Sequence, residues 1–254
     1  MKAVTRSLLA LLALLLLGGA REPILVPEVS QHEVIVRQGF RGAELLVFGA
    51  ILDPGGIRTG DGYDIVVVLK GPTQSIVLRE KKRVAGIWVN ADSSDFRSAP
   101  TYFAVAASRP VNEIVDGKTA AIYELGLPWL QLSPIGAIDP AKQRHFAAGL
   151  VDLLGRGGLY RQDPRGVSIK EKVLYQARIY LPSHVQTGHY TAETFAISNG
   201  RVVASAITGV EVRKLGFEGA IAQFADRHAF VYGLTVIAIS VAMGWLAGRV
   251  FALI

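Results

Sequence analysis

The apolar positions of this chain fall into three patterns: two unbroken blocks near its ends, a series of short strand-like runs, and one stretch of helical period. Ala229 to Gly248 is a run of twenty residues without a charge. A helix of about twenty residues rises roughly 30 Å, the hydrocarbon thickness of a bilayer, so 229–250 is expected to span a membrane. The block at the other end is shorter. Lys2 and Arg6 precede the apolar run Leu8 to Leu17, and Gly18-Gly19-Ala20 follows. A basic start, a short apolar core and small residues before a cleavage point form a secretory signal peptide, expected over 1–20; an uncleaved first helix is the competing reading. Together the two blocks predict an exported, single-pass protein, with Arg249 on the inner side of the membrane.

Between the blocks the first half reads as β. His32 to Arg37 and Glu44 to Leu52 flank a turn marked by Gly39 and Gly42. After the Gly/Asp/Pro-rich stretch Asp53 to Gly62, the run Ile65-Val66-Val67-Val68-Leu69 has the composition of a strand buried on both faces, ended by Gly71-Pro72. Ser75 to Arg79, Val84 to Asn90 and Thr101 to Ser108 read as further strands. The period then changes. Asp139-Pro140 supplies an N-cap and first-turn proline for a helix through Leu154, with Phe146, Leu150, Leu153 and Leu154 on one face and Gly155 as its stop. A shorter helix is expected over Thr119 to Leu125, and Leu127-Pro128-Trp129 reads as a packed loop. The β pattern resumes at Val173 to Leu181, Tyr190 to Ser198 and Arg201 to Val212, with Asn199-Gly200 as a two-residue hairpin turn.

Short strands at this spacing argue for a sandwich. The expected fold is mainly β: an immunoglobulin-like β-sandwich over 21–215 with a helical insertion at about 112–160. A juxtamembrane segment at 216–228 and the transmembrane helix at 229–250 follow. Two separate domains is the other arrangement this pattern allows.

Composition changes the picture little. The net charge of +6 falls to +4 when Lys2 and Arg6 leave with a cleaved leader. Lys81-Lys82-Arg83 therefore reads as a solvated strand end, and no nucleic-acid partner is expected. The chain has no cysteine, so neither disulfides nor thiol chemistry enter.

The order of several short segments resembles a known family. Ala177-Arg178-Ile179-Tyr180-Leu181-Pro182, Gly188-His189-Tyr190-Thr191 and Gly200-Arg201-Val202-Val203 are followed by Gly216-Phe217-Glu218, Phe224-Ala225, Tyr232-Gly233-Leu234 and Gly244-Trp245-Leu246-Ala247-Gly248. Gly39-Phe40-Arg41-Gly42, Leu46-Val47-Phe48-Gly49 and the turn from Gly157 to Tyr160 fit as well. In this order they resemble the alphaproteobacterial transmembrane protein family Alph_Pro_TM. The resemblance implies a signal peptide, an extracytoplasmic domain and one C-terminal span in the inner membrane, with the bulk of the chain in the periplasm. It brings no established activity, only an association with sulfite-exporter-type permeases.

Candidate chemistry is sparse. Of the five histidines His32, His145, His184, His189 and His228, only His184 and His189 flank a common turn, fewer than a zinc or copper site needs, so no metal or cofactor is expected. No Gly-x-Ser-x-Gly elbow occurs, and Ser93, Ser94 and Ser98 with Asp92 and Asp95 read as a self-satisfying loop. Gly155-Arg156-Gly157-Gly158 lacks the lysine and hydroxyl residue of a phosphate loop. Asp61 and Asp64 show no evident partner, and no catalytic residue is assigned. Tyr190, two residues after a glycine and entering a strand, has the setting of a tyrosine corner. The sharpest local signal is in the last helix, where Ser240, Gly244 and Gly248 recur every four residues. They form a stripe on which helices can approach closely, against a second copy or another membrane protein. The expected function is a non-enzymatic, membrane-anchored periplasmic module acting as an interaction or accessory partner of another envelope protein. An accessory subunit of a small-solute or anion transporter, or an enzyme, are the alternatives.

Overall fold

The computed structural model describes residues 23–37, 39–53, 62–136, 139–214, 221 and 224–251. The expected signal peptide, the loop after Asp53 and most of the 216–228 segment lie outside them. The elements in chain order are β1 (Ile24–Val29), β2 (Glu33–Val36), β3 (Gly42–Leu52), β4 (Asp64–Lys70), β5 (Thr73–Val84), β6 (Ile87–Pro100) and β7 (Phe103–Ala107). There follow α1 (Val111–Ile114), α2 (Gly117–Ile122), β8 (Ser133–Pro134), α3 (Pro140–Arg156), β9 (Tyr160–Asp163) and β10 (Val167–Lys170). The last are β11 (Leu174–Pro182), β12 (Gly188–Ser198), β13 (Arg201–Lys214) and α4 (Ala229–Phe251).

The expected mainly-β fold is what forms, in three sheets among the described residues. One has the order β1-β3-β11-β10, the second β2-β13-β12-β4-β7-β9, and the third β5-β6-β8. Parallel pairing occurs between β2 and β13 and between β7 and β9. The five-residue apolar run of β4 explains how the layers stack. Ile65, Val67 and Leu69 point into a core shared with Leu45, Val47, Ile179 and Leu181 of the first sheet. Val66 and Val68 point the other way, into a second core with Phe103, Phe195 and Ile197, closed by Val111, Ile114, Ala120 and Leu125 of the helical insertion. The insertion thus packs on the outer face of the second sheet. A smaller core joins Phe96 and Ala99 of β6 to Phe146 and Leu150 of α3.

Local signals hold at the turns. Asn199 and Gly200 both have positive φ, 51° and 76°, as a two-residue hairpin turn requires. Asp139 accepts a hydrogen bond from the Lys142 amide and caps α3. That helix runs to Arg156, past the expected stop at Gly155, and Gly158 takes the left-handed position that ends it (φ 71°). Leu153, expected on the buried face, is more than half exposed.

Two expected strands are parts of one longer hairpin. Ser75 to Arg79 and Val84 to Asn90 belong to β5 and β6, paired from Thr73↔Pro100 to Val84↔Ile87. The Asp92–Ser98 stretch, expected as a loop, is strand in β6. Its alternation is the reason: Ser94 and Phe96 face inward while Ser93, Asp95 and Arg97 face out. Cover from α3 turns a polar composition into a half-buried strand. The edge strands β1, β9 and β10 have no expected counterpart; each is short and takes its order from a neighbour.

α4 is 23 residues long, and Ala229–Val250 is long and apolar enough to cross a membrane.

Candidate functional site

A cleft of about 410 Å³ opens where the outer face of the second sheet meets the helical insertion. Strand alternation decides its floor. Lys70 ends β4 on the same face as Val66 and Val68, and Glu193 and Phe195 of β12 and Ser205 and Ile207 of β13 share that face. Ile122, Tyr123, Glu124 and Gln131 of the insertion form the wall. The Tyr123 ring meets Phe195 edge-on, with centroids 5.4 Å apart.

Lys70 holds the centre. Its Nζ lies 2.8 Å from Glu124 Oε2 and 3.4 Å from Glu193 Oε2. Burial alone would lower the lysine pKa, but the hydrogen bond to Glu124 and the charges of Glu193 and Glu124 outweigh it and raise it. The amine therefore stays protonated at neutral pH and is neither a nucleophile nor a base. The cluster carries one positive and two negative charges. Ile122 and Ile207, both strongly exposed, flank it as apolar rims.

Glu124 is held by backbone as well as by charge. Asp116 caps α2 by accepting from the Thr119 amide. At the other end the Leu125 amide donates to Ala120 O, closing a Schellman turn whose left-handed position Glu124 occupies at φ 52°. Glycine is the usual residue there. A side chain at such a position costs on the order of 1 kcal/mol and persists where the surroundings over-determine it. Here they do: one carboxylate oxygen accepts from Lys70 and the other from the Gln131 amide at 2.8 Å. Sequence reasoning missed this site. The alternation of β4 places Lys70 on the outer face, but nothing in the sequence around Glu124 announces its backbone or its partner.

The residues the sequence singled out are dispersed. Ser240, Gly244 and Gly248 lie along one side of α4, where the glycines have no heavy atom near a potential Cβ and the Ser240 hydroxyl donates to Val236 O at 2.9 Å. The profile of the family described as "Putative transmembrane protein (Alph_Pro_TM)" matches residues 24–252. The chain belongs to that family. No curated protein matches it. Membership agrees with the C-terminal apolar helix, the one membrane-capable helix among the described residues, and makes this a transmembrane family member with a β-rich domain.

In this family member His184 and His189 do not converge. His189 Nδ1 lies 3.4 Å from Glu211 Oε2, its ring over Gly209, where a Cβ would come within 2.8 Å of it. His184 is exposed beside Gly157 at the end of α3. His32 pairs with Glu28, and His145 faces Glu80. Among the described residues no three His, Asp or Glu side chains gather to hold a metal ion. Asp64, expected to lack a partner, accepts from the Arg109 guanidinium and the Ser108 hydroxyl. Burial pushes its pKa up, but these hydrogen bonds and the arginine charge outweigh that and lower it. Tyr190 is buried, and its hydroxyl donates to Gln186 O at 2.7 Å, the contact expected of a tyrosine corner. Burial pushes its pKa up to about 12, so the phenol stays neutral.

Proposed function

We propose that this family member is a non-enzymatic, membrane-anchored module whose β domain stands in the periplasm, held in the inner membrane by α4, and engages another envelope protein. The observation that carries the reading is the cleft. Its only lysine is clamped and protonated, its carboxylates are engaged, and its rims are exposed isoleucines. That is the make-up of a contact surface, with apolar rims to be covered and an acidic-leaning floor for a basic group. The Ser240, Gly244 and Gly248 stripe gives the anchor a face on which a partner helix can pack.

An immunoglobulin-like reading of the domain is supported by strand order. β1, β3, β11 and β10 follow the order A, B, E, D, and β13, β12 and β4 follow G, F, C. Tyr190, near the start of the strand equivalent to F, makes the corner contact. Such sandwiches serve widely as interaction domains, which fits the reading by analogy.

The test is crosslinking of the tagged full-length protein in intact cells, followed by purification in mild detergent and mass spectrometry. A recurrent integral-membrane partner is expected. Its recovery should fall with Ile207→Glu in the cleft and with the double change Gly244→Leu and Gly248→Leu in the anchor. Recovery of no partner, or of one indifferent to both changes, overturns the proposal.

A further inference from the structure

The β5–β6 hairpin ends in a tip that none of the described residues covers. Its inner half is held by α3: Ile76, Leu78 and Phe96 pack on Phe146 and Leu150, Lys142 pairs with Asp92, and His145 faces Glu80. Beyond Glu80 and Asp92 four residues of β5, Lys81 to Val84, and five of β6, Ile87 to Ala91, rise to the turn, roughly 15 Å of free ribbon. The turn residues Ala85 and Gly86 have φ of 49° and 87°, the two-residue geometry that keeps the strands tightly paired to the end. Arg83 Nε donates to Gly86 O and braces it.

The composition of this tip is one-sided in chemistry. Val84, Ile87, Trp88 and Val89 are exposed, Ile87 and Trp88 by 68% and 66%. Lys81, Lys82 and Arg83 stand among them across from Asn90, Val89 and Trp88. From Lys81 to Ala91 there is no acidic residue. The nearest acids, Glu80 and Asp92, lie at the base and are engaged, Glu80 with Lys82 at 3.3 Å and Asp92 with Lys142. Four apolar side chains, one of them tryptophan, beside three cations are what an anionic lipid surface accepts: acyl chains take the aliphatic groups, the indole sits at headgroup level, and the cations meet phosphates.

Topology roots the hairpin at the edge of the sandwich where β13, the last strand before the anchor, ends. β13 runs from Arg201 to Lys214, and α4 begins at Ala229. Lys70 at the end of β4 lies level with Thr191 of β12, which lies level with Gly209 of β13, so β4 and β13 end at the same edge of the sandwich. The hairpin starts there: Pro72 O accepts from the Thr101 amide, and Gly188 packs so tightly on Pro72 that a Cβ would come within 3.0 Å of the ring. We infer that the β5–β6 tip is a second membrane contact, which inserts Val84, Ile87, Trp88 and Val89 into the anionic leaflet on the domain's side and binds its phosphates through Lys81, Lys82 and Arg83. The inference depends on the anchor and is independent of any protein partner. With the domain already tethered, the local lipid concentration is high and a contact too weak to recruit a free protein is enough to fix its tilt.

The chain lacks cysteine, so one introduced thiol reports one place. Full-length protein carrying Ile87→Cys, labelled with a polarity-sensitive fluorophore, is reconstituted into bilayers of phosphatidylcholine with or without phosphatidylglycerol, with nitroxide-labelled lipid as quencher. Arg201→Cys, at the opposite end of β13, is the reference position. The expected result is a blue-shifted, quenched Ile87 probe in the anionic bilayer and an unquenched Arg201 probe. Changing Lys81, Lys82 and Arg83 together to Glu should lower the ratio of inserted to free tip by at least on the order of a hundredfold, about fivefold for each cation lost. An Ile87 probe as unquenched as the Arg201 probe overturns the inference and returns the tip to a protein partner. Quenching that ignores both phosphatidylglycerol and charge reversal overturns the anionic surface as its ligand.

Discussion

β4 and β5 are separated only by Gly71-Pro72, yet their surroundings are opposite. Ile65 to Leu69 of β4 are sealed on both faces, by the first sheet on one side and the helical insertion on the other. β5 has cover on one face for its first half, from α3, and none from the described residues for its last four. The difference teaches that being apolar does not bury a residue: Val84 at the end of β5 and Ile87, Trp88 and Val89 of its partner β6 stay exposed. Burial belongs to whatever packs against it, and an apolar strand end left uncovered beside cations is available for something outside the chain.

The comparison breaks most visibly at Leu69. Leu69→Ala removes a fully buried side chain from the main core and should cost about 2–5 kcal/mol of domain stability, read as a lowered denaturation midpoint. A loss under about 1 kcal/mol would mean that the two-sided seal of β4 is loose. Next in size is Lys70→Met, which leaves Glu124 and Glu193 facing each other without a cation; a cost of about 1–3 kcal/mol is expected in the same unfolding measurement. Adding Glu124→Gly to that variant should recover part of the loss, because glycine relaxes the left-handed position.

A smaller effect sits at the other end of β4. The folded Asp64 has a pKa below its unfolded value of about 3.9, so its stabilising contribution is complete above that value and is lost as pH falls through the folded pKa. Asp64→Asn should lower the melting temperature at neutral pH and flatten its decline below about pH 4; an unchanged acid profile would deny Arg109 and Ser108 their role. Smallest of all is the hairpin tip. Ile87→Ser with Trp88→Ser should leave stability within about 0.5 kcal/mol, since neither side chain packs on the domain. A larger loss would show that the tip is part of the fold and would make the contrast with β4 one of degree.

Much of the architecture was legible because its signals are local. The Asn199-Gly200 turn, the Asp139-Pro140 cap and the double-sided run of β4 each need only a few adjacent residues. The continuity of β5 and β6 was not legible: Ser93, Asp95 and Arg97 look like a loop until Phe146 and Leu150 cover the other face. The short strands β9 and β10 escape for the same reason, being ordered by pairing with β7 and β11. In the cleft, the outward direction of Lys70 follows from alternation, whereas Glu124 lies 54 positions away along the chain.

The sequence by itself determined the broad plan: a membrane-capable helix over Ala229–Val250, a mainly β domain before it, and a strand buried on both sides, because length, hydropathy and period are properties of contiguous residues. Only the tertiary structure decided that the insertion closes the second face of the sandwich, that Lys70 meets Glu124 and Glu193, and that the cations at 81–83 share a bare tip with Ile87 and Trp88. Each of those depends on register and cover between segments far apart in the chain, and no short window of residues contains either.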